Sequence, residues 1–323
     1  MTNPLAPLRR GPDHVWLYGH RGARGIVPEN TLESFDHALA AGLRAMEVDV
    51  CATRDGVPVV THDLRLAPDR ARGPDGGWLA PPGPRLRDLS LDDLARYDVG
   101  ALRPGSDYAR RFPEQHAMPG LRVPTLDAVC ERLGAVTDEP VWVMLEIKSD
   151  PARPGDVPPL PDYVASVIEV VRRHGLAGTT MLHAFDWSVL AECARQAPDM
   201  PRSYLSQLAG SPGEGATVYP GSPWLDGADE ALDDLPGTIA ALGGSAWAPY
   251  LPDVTARDVE AAHAHDLVVN VWTVNEPDDI ERMVAFGVDG ICTDYPERAI
   301  DVLKGMGLRA RGRQADLVLL TGD

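Results

Sequence analysis

The sequence predicts an α/β fold, a (β/α)8 TIM barrel with a small insertion after its second strand. Short apolar runs alternate with helix-length amphipathic stretches eight times along 323 residues, which is the pattern of a (β/α)8 barrel. Hydrophobic residues make up 44% of the chain, as in globular proteins. Charged residues cluster at predicted strand ends, where barrels place their active sites. A doubly wound sheet is the alternative, but it normally ends near about six strands.

The eight strands are predicted from short apolar runs rich in β-branched and aromatic residues. They cover residues 15–20, 44–51, 141–147, 180–184, 202–206, 246–249, 268–273 and 289–293. Helices are predicted where apolar residues recur at helical spacing, several of them after a proline or a capping residue. They cover residues 31–41, 125–133, 162–174, 256–265, 277–286 and 296–303. Strand and helix therefore follow each other along most of the chain.

Some segments break this alternation. Residues 57–62 alternate like the second arm of a hairpin. Residues 64–120 contain 8 Pro and 7 Gly in 57 positions and are predicted as an inserted lid or subdomain on the catalytic face. An acidic run from Asp226 to Asp234 is predicted as solvated surface. Beyond Gly305, the LVLL stretch is either a tucked strand or disordered. We expect residues 1–323 to form one domain.

The charge balance argues against several classes of protein. The chain has 48 acidic and 30 basic residues, a net charge of −18, which disfavours nucleic-acid binding and polybasic docking on membranes. No apolar run approaches the ~20 residues of a membrane helix, and the start lacks the apolar stretch of a secretory signal. Four cysteines without disulfide or zinc spacing indicate reduced thiols. We therefore expect a cytoplasmic protein without stable membrane anchoring; its oligomeric state is not predicted.

Two carboxylates share one face of the second predicted strand. Glu47 and Asp49 in MEVDV are two residues apart, so both side chains point the same way and the flanking apolar residues point the other way. In a barrel interior, two carboxylates repel each other unless a cation lies between them. The alternative is a pair of surface acids on an edge strand.

A third carboxylate and a lysine follow the same rule. Glu146 and Lys148 in LEIKS share a face at the end of the third strand. Three carboxylates from two adjacent strand ends suit Mg²⁺ or Ca²⁺ better than zinc. Lys148 is one of two lysines among 30 basic residues, and its charge suits an anionic ligand. The alternative for Glu146 and Lys148 is a buried ion pair that stabilises the barrel.

Two histidines follow predicted strands. His20 lies in YGHRG at the end of the first strand, and His62 lies in VVTHD after the hairpin. A lone histidine is more often structural, but two imidazoles on one face can act as general base and general acid. Arg21, next to His20, can bind a phosphate with two parallel hydrogen bonds.

The remaining candidates are less specific. In PENT, Asn30 and the threonine after it are candidate helix caps, whereas capping does not explain Glu29, which we expect to support the site. Trp272 is either core or the wall of a pocket for a small alcohol or a choline-like group, and Phe185 is a similar candidate. Asp294 either orients a neighbour or caps the next helix.

Taken together, GHRG, PENTLESF, MEVDV with DGVPVVTHD, LEIK, VNVWTVNE and GICTDYP resemble the glycerophosphodiester phosphodiesterase family, in order from about residue 17 to 298. The resemblance implies a barrel with an inserted small subdomain. It also implies that His20 and His62 form an acid–base pair and that Arg21 and Lys148 contact the phosphate. The metal would be held by Glu47, Asp49 and Glu146. Trp272 matches the position beside the substrate's glycerol. Ala184 departs from the family, which usually has Ser before Phe185.

Three functional hypotheses follow. The first is metal-dependent hydrolysis of a small-molecule glycerophosphodiester to sn-glycerol 3-phosphate and an alcohol, with one Ca²⁺ or Mg²⁺ ion (Mn²⁺ is compatible). The second is a phospholipase-like enzyme, of the lysophospholipase D or C type, that acts on lipid head groups; the missing basic patch argues against it. The third is a non-catalytic barrel that binds a phosphodiester or metal, which the presence of both His20 and His62 disfavours. The leaving alcohol is not predicted.

Overall fold

The computed structural model describes residues 3–211 and 215–311, and these contain ten strands. The strands are β1 (His14–His20), β2 (Ala45–Ala52), β3 (Pro58–Val60), β4 (Trp142–Ile147), β5 (Thr180–Ala184), β6 (Arg202–Ser206), β7 (Ala246–Pro249), β8 (Val268–Val271), β9 (Gly290–Thr293) and β10 (Arg309–Arg311). All except β3 and β10 form one parallel barrel, in which β1 pairs with both β2 and β9. The (β/α)8 prediction is confirmed. The doubly wound alternative is wrong. An open sheet has two edge strands with one neighbour each, whereas the pairing of β1 with β2 closes these eight strands into a ring.

Two strands extend the sheet outside the barrel. β3 pairs antiparallel with β2, as the hairpin pattern of residues 57–62 predicts, and β10 pairs parallel with β1. The predicted LVLL stretch, residues 317–320, lies outside the described residues. Strand limits differ from the predicted ones by at most two residues, and those of β5, β6 and β7 coincide with them. The largest difference is at residues 268–273, because beyond Val271 the chain forms only an isolated bridge, between Trp272 and Tyr250.

Ten α-helices accompany the strands in the described ranges. They are α1 (Leu32–Ala40), α2 (Leu91–Leu94), α3 (Asp107–Arg111), α4 (Leu126–Gly134), α5 (Leu160–Arg173), α6 (Trp187–Gln196), α7 (Leu235–Ala241), α8 (Ala256–Ala264), α9 (Pro277–Phe286) and α10 (Pro296–Gly305). The sequence patterns do not predict α2 and α3, which lie in the insertion, or α6 and α7. Asp186 caps α6 by accepting a hydrogen bond from the Ser188 amide, and aspartate is a common residue at this position. α7 contains Pro and Gly, which are poor helix formers.

The barrel interior changes from apolar to polar along the strands. Alternate residues of each strand point inward, and those near the amino ends of the strands are apolar. Leu5 and Leu8 of the N-terminal segment pack against them and are fully buried. Towards the carboxyl ends, the inward positions hold His20, Glu47 and Glu146, which line a cavity. The strand pattern therefore places the ionisable groups together at one end of the barrel.

The insertion has a small apolar core of its own. This core joins residues of the insertion to the β2–β3 hairpin: Cys51, Val59, Leu66, Ala71, Leu86, Leu94 and Val123. The insertion also contacts the loop after β1, because the His116 amide donates to the Ile26 carbonyl over 2.8 Å and Gln115 Nε2 donates to the Arg24 carbonyl over 2.7 Å. The insertion therefore lies beside the carboxyl end of the barrel. Its assignment to one domain with the barrel stays a prediction.

The surface and the cysteines agree with the composition. Asp226, Asp229, Asp233 and Asp234 of the acidic run are exposed. Cys51, Cys130, Cys193 and Cys292 are buried and form no disulfide. Among the residues that the structure describes, no helix has the length and apolar character needed to cross a membrane.

Replacing Leu8 by Ala should destabilise the barrel. The side chain is fully buried against the inward apolar residues, so its loss removes burial and leaves a cavity. We expect the free energy of unfolding to fall by about 2–5 kcal/mol, measured by urea denaturation. Leu242→Ala is the matched control because Leu242 is 43% exposed. Equal losses of unfolding free energy in the two variants would contradict the role of Leu8 in closing the amino end of the barrel.

Candidate active site

The loop after β1 is a tight turn that requires glycine. Gly22 has φ +87°, and a Cβ atom there would lie 2.5 Å from the Ser34 carbonyl carbon. Ser34 of α1 fixes the turn, since its Oγ donates to the Arg21 carbonyl over 2.9 Å and accepts from the Ala23 amide over 2.8 Å. Arg21 itself is held in the left-handed region, with φ 54°. The turn therefore fixes the direction of the arginine at the barrel end.

Glu47, Asp49 and Glu146 converge in the barrel interior. One carboxylate oxygen from each lies within 4.8 Å of the other two. β2 and β4 are neighbours in register, with Asp49 opposite Glu146, so the two strands bring these side chains together. All three are buried. The alternative of surface acids on an edge strand is wrong, because β2 pairs on both sides within the barrel.

Positive groups surround Asp49. Lys148 Nζ lies 2.9 Å from Asp49 Oδ1 and 2.6 Å from Glu146 Oε1, and Arg21 Nε lies 3.0 Å from Asp49 Oδ2. Asn30 Nδ2 donates to Asp49 Oδ2 over 2.8 Å. Burial opposes ionisation of Asp49, but Lys148 and Arg21 outweigh it and hold its pKa well below the usual range. The predicted Glu146–Lys148 ion pair is therefore present within the carboxylate group.

Glu47 carries the least compensated charge of the three. Its Oε2 accepts from the Arg21 amide over 3.0 Å, whereas Oε1 is buried without a hydrogen-bond partner in the described part of the chain. Burial and the carboxylates of Asp49 and Glu146 raise the pKa of Glu47 well above its usual range. Burial likewise raises the pKa of Glu146 to about 7, against the effect of Lys148. The group therefore offers hard oxygen donors and an excess of negative charge to a divalent cation.

His20 is held by a buried carboxylate. Its Nδ1 lies 2.7 Å from Asp294 Oδ1, and its Nε2 lies 3.8 Å from Glu47 Oε2. Asp294 also accepts from Arg24 Nε over 2.7 Å and from Asn275 Nδ2 over 2.7 Å. Burial and the charge of Arg24 lower the pKa of His20 to about 3, although Asp294 opposes them. Of the two predicted alternatives for Asp294, the structure therefore supports orientation of a neighbour.

His62 is held in a similar way and lines the same cavity as His20. Its Nδ1 lies 2.7 Å from Asp63 Oδ1, and Asp63 pairs in turn with Arg70 of the insertion. Burial, Arg21 and Lys148 together lower the pKa of His62 to about 4. In both histidines Nδ1 faces a carboxylate, which leaves Nε2 as the nitrogen that can face a ligand.

Glu29 connects the loop after β1 to the insertion. It accepts from Arg21 Nη1 and from Arg70 Nη1, each over 2.8 Å, and from the Tyr108 hydroxyl. Burial opposes its ionisation, but Arg70 and Arg21 lower the pKa of Glu29 to about 2. Sequence reasoning missed Arg70 and Tyr108, because the insertion carries no recognisable motif and only folding brings it to this loop.

A cavity of about 310 Å³ opens onto these groups and joins a second one of about 610 Å³. Residues shared by both cavities are His62, Glu146, Lys148, Phe185, Gln207 and Trp272. Trp272 packs edge-on against Phe185, with ring centroids 5.3 Å apart. It also packs against Tyr250 in a tilted arrangement, with centroids 5.0 Å apart. These rings form an apolar wall of the cavity. Ala184 belongs to the outer apolar core and does not line either cavity.

The model of the glycerophosphoryl diester phosphodiesterase family matches residues 20–298. The chain belongs to this family. The match spans the site described above from His20 to Asp294, and it confirms the predicted class of enzyme, a phosphodiesterase among the hydrolases.

Relatives of this family match nearly the whole chain. The glycerophosphodiester phosphodiesterase of Bacillus subtilis (strain 168) is 27% identical over 314 residues, covering 94% of this chain and 93% of that protein. That of Caldanaerobacter subterraneus subsp. tengcongensis is 28% identical over 293 residues, covering 90% of this chain and 98% of that protein. A crystal structure from Silicibacter pomeroyi DSS-3, named after the same family, is 43% identical with a TM-score of 0.86, covering 96% of this chain and 100% of that one.

Replacing Glu47 by Gln should stabilise the metal-free protein in a pH-dependent way. Folding raises the pKa of Glu47 above the ordinary glutamate value of 4.5. Its contribution to the stability of the folded protein therefore falls as the pH rises above 4.5. In EDTA, the melting temperature of Glu47→Gln should therefore exceed that of the wild type at pH 8, by roughly 2–4 °C per kcal/mol of relieved repulsion. The advantage should shrink at pH 5.

The difference between the two proteins reports the ionisation of Glu47 together with its effect on Asp49 and Glu146, which lie beside it. Glu230→Gln is the control because Glu230 is exposed, and it should leave the melting temperature unchanged at both values of pH. If the difference in melting temperature between Glu47→Gln and the wild type were the same at pH 5 and pH 8, repulsion between the buried carboxylates would be contradicted.

Proposed function

We propose that the chain hydrolyses small-molecule glycerophosphodiesters to sn-glycerol 3-phosphate and an alcohol, with a divalent metal ion and with His20 and His62 as the acid–base pair. The observation that carries this proposal is the convergence of Glu47, Asp49 and Glu146 beside both histidines at one end of the barrel. The names of the Bacillus subtilis and Caldanaerobacter relatives, both glycerophosphodiester phosphodiesterases, support the choice of substrate.

The three carboxylates would hold the metal ion. Carboxylate oxygens favour Ca²⁺ or Mg²⁺, with Mn²⁺ also compatible. The fit is supported by Glu47 Oε1, which is buried without a hydrogen-bond partner in the described residues, and by the raised pKa of Glu47 and Glu146. When bound, the ion supplies positive charge that offsets the charge of the phosphate group.

Arg21 and Lys148 would bind the phosphate. Both line the smaller cavity, and each already contacts Asp49, at 3.0 Å and 2.9 Å. An anionic substrate enters a protein of net charge −18 because these two cations and the metal ion reverse the local potential. Asn30, which donates to Asp49, and Glu29, which accepts from Arg21, keep the carboxylate and the guanidinium in place.

The two histidines would move the protons of the reaction. Their lowered pKa keeps both imidazoles neutral near pH 7, so either can accept a proton from the attacking oxygen. An anionic phosphodiester between them favours protonation of the other, which then donates to the leaving alkoxide. The attacking oxygen belongs to water or to the 2-hydroxyl of the substrate's glycerol. The second route forms a cyclic phosphate, which ³¹P NMR of the products would detect.

The aromatic wall would contact the carbon skeleton of the substrate. Trp272 and Phe185 stand at the junction of the two cavities, where one side of a diester would lie in each. Trp272 is fixed by a 2.9 Å hydrogen bond from its Nε1 to the Ala248 carbonyl. We therefore place the glycerol against Trp272. Because Ala184 faces away from both cavities, its departure from the family pattern leaves this contact unchanged.

A coupled assay for glycerol 3-phosphate tests this proposal. The protein is treated with EDTA, supplied with glycerophosphocholine, and given Ca²⁺, Mg²⁺, Mn²⁺ or no metal. We expect release only with metal, and we expect His20→Ala and His62→Ala to lower kcat by roughly 10²–10⁴-fold. His174→Ala is the matched control, since His174 pairs with Asp127 next to the end of α5, and it should keep wild-type turnover.

The other outcomes point to the alternatives. No release with any metal, from protein shown to be folded, would favour a barrel that binds and does not cut. Unchanged turnover in His20→Ala and His62→Ala would contradict the acid–base pair. Faster turnover of lysophosphatidylcholine than of glycerophosphocholine would favour the phospholipase-like enzyme.

A further inference from the structure

We propose that Arg70 of the insertion is a positioning residue, which holds Arg21 and His62 in their working orientations through Glu29 and Asp63. This inference rests on the proposed function, since that function assigns Arg21 to the phosphate and His62 to proton transfer. It gives the insertion a role at the site that neither the barrel nor the sequence motifs supply.

One guanidinium group joins the two carboxylates behind the substrate-facing groups. Arg70 Nη1 lies 2.8 Å from Glu29 Oε1, and Arg70 Nη2 pairs with Asp63 Oδ2. Each of these carboxylates also contacts a group of the site. Glu29 Oε1 is 2.8 Å from Arg21 Nη1, and Asp63 Oδ1 is 2.7 Å from His62 Nδ1. Each substrate-facing group is therefore one carboxylate away from the same arginine.

The guanidinium is itself held in one orientation. It lies over the ring of Tyr108, 4.3 Å from the ring centroid, and the Tyr108 hydroxyl donates to Glu29. The Arg70 side chain is 18% exposed, so water competes little for its donors. Tyr108 opens the helix α3 of the insertion together with Asp107. Two parts of the insertion thus meet at Glu29.

Through Glu29 and Asp63, Arg70 connects two loops that the strand pairing of the barrel does not hold together. Glu29 belongs to the loop between β1 and α1, whereas Asp63 follows the hairpin strand β3. Strand pairing fixes Glu47, Asp49 and Glu146, but it does not fix these two loops. An arginine can meet both carboxylates because its planar fork presents two donors in a fixed geometry. A lysine at position 70 would present a single ammonium nitrogen in place of two separate nitrogens, so it would not reproduce both contacts in the same geometry.

Kinetics of Arg70→Ala and Arg70→Lys test the inference. We expect kcat with glycerophosphocholine to fall about ten- to a hundredfold in Arg70→Ala, because small displacements of reacting groups cost up to about 10²-fold. KM should rise as Arg21 loses its alignment. Arg70→Lys should recover a minor part of kcat. Guanidinium chloride at millimolar concentration, well below denaturing levels, should restore kcat in Arg70→Ala by refilling the vacated position.

Arg72→Ala is the matched control. Arg72 lies in the same insertion, two residues away, and stacks on Trp78 with 4.7 Å between its guanidinium carbon and the ring centroid. Its loss should leave kcat and KM unchanged and give no response to guanidinium. A purely structural role of Arg70 would instead lower the melting temperature, leave kcat per folded molecule unchanged and show no rescue. That result would overturn the inference.

A second measurement does not depend on turnover. Long-range ¹H–¹⁵N spectra of the histidine rings report whether His62 Nδ1 is held by Asp63, and Arg70→Ala should shift and broaden the His62 signals while those of His174 stay in place. An unchanged His62 signal would overturn the inference even in an active enzyme. If the wild type showed no turnover, the proposed function would fail, and this spectrum would still decide the role of Arg70.

Discussion

The rest of this structure depends on the burial of three carboxylates at the ends of two neighbouring strands. An uncompensated buried charge costs several kcal/mol, so Glu47, Asp49 and Glu146 are tolerable only beside positive charge. Lys148 and Arg21 provide part of it, and both contact Asp49. Glu47 has the least positive charge beside it, and its pKa is raised well above the usual range. Mutual repulsion among these carboxylates therefore destabilises the site, and a divalent ion bound between them would relieve that repulsion.

The barrel makes this burial possible because its interior is apolar at the amino ends of the strands and polar at their carboxyl ends. Inward residues near the amino ends of the strands are apolar and are closed off by Leu5 and Leu8, so most of the stabilising burial occurs away from the charged groups. The carboxyl ends can then hold ionisable groups whose burial destabilises the fold. Asp294 and Asp63 hold Nδ1 of the two histidines, and the insertion supports the loops that strand pairing does not fix.

Much of this arrangement follows from the sequence. The two-residue spacing of Glu47 with Asp49, and of Glu146 with Lys148, predicts shared faces because side chains alternate along a strand. The motifs around His20 and His62 predict the family. The partners from the insertion were not predictable, since Arg70 and Tyr108 reach Glu29 only through tertiary folding and follow no local period. Helix α7 was missed for a local reason, because its Pro and Gly weaken the helical pattern.

Calorimetric titration of the EDTA-treated protein with Ca²⁺, and separately with Mg²⁺, tests the central claim most directly. The account predicts that one ion binds per chain and that Asp49→Asn weakens binding by at least about tenfold, or about 1.4 kcal/mol. Asp226→Asn, at an exposed position, should bind as the wild type does. Absence of binding, or equal binding by wild type and Asp49→Asn, would contradict the claim that the three buried carboxylates form a metal site.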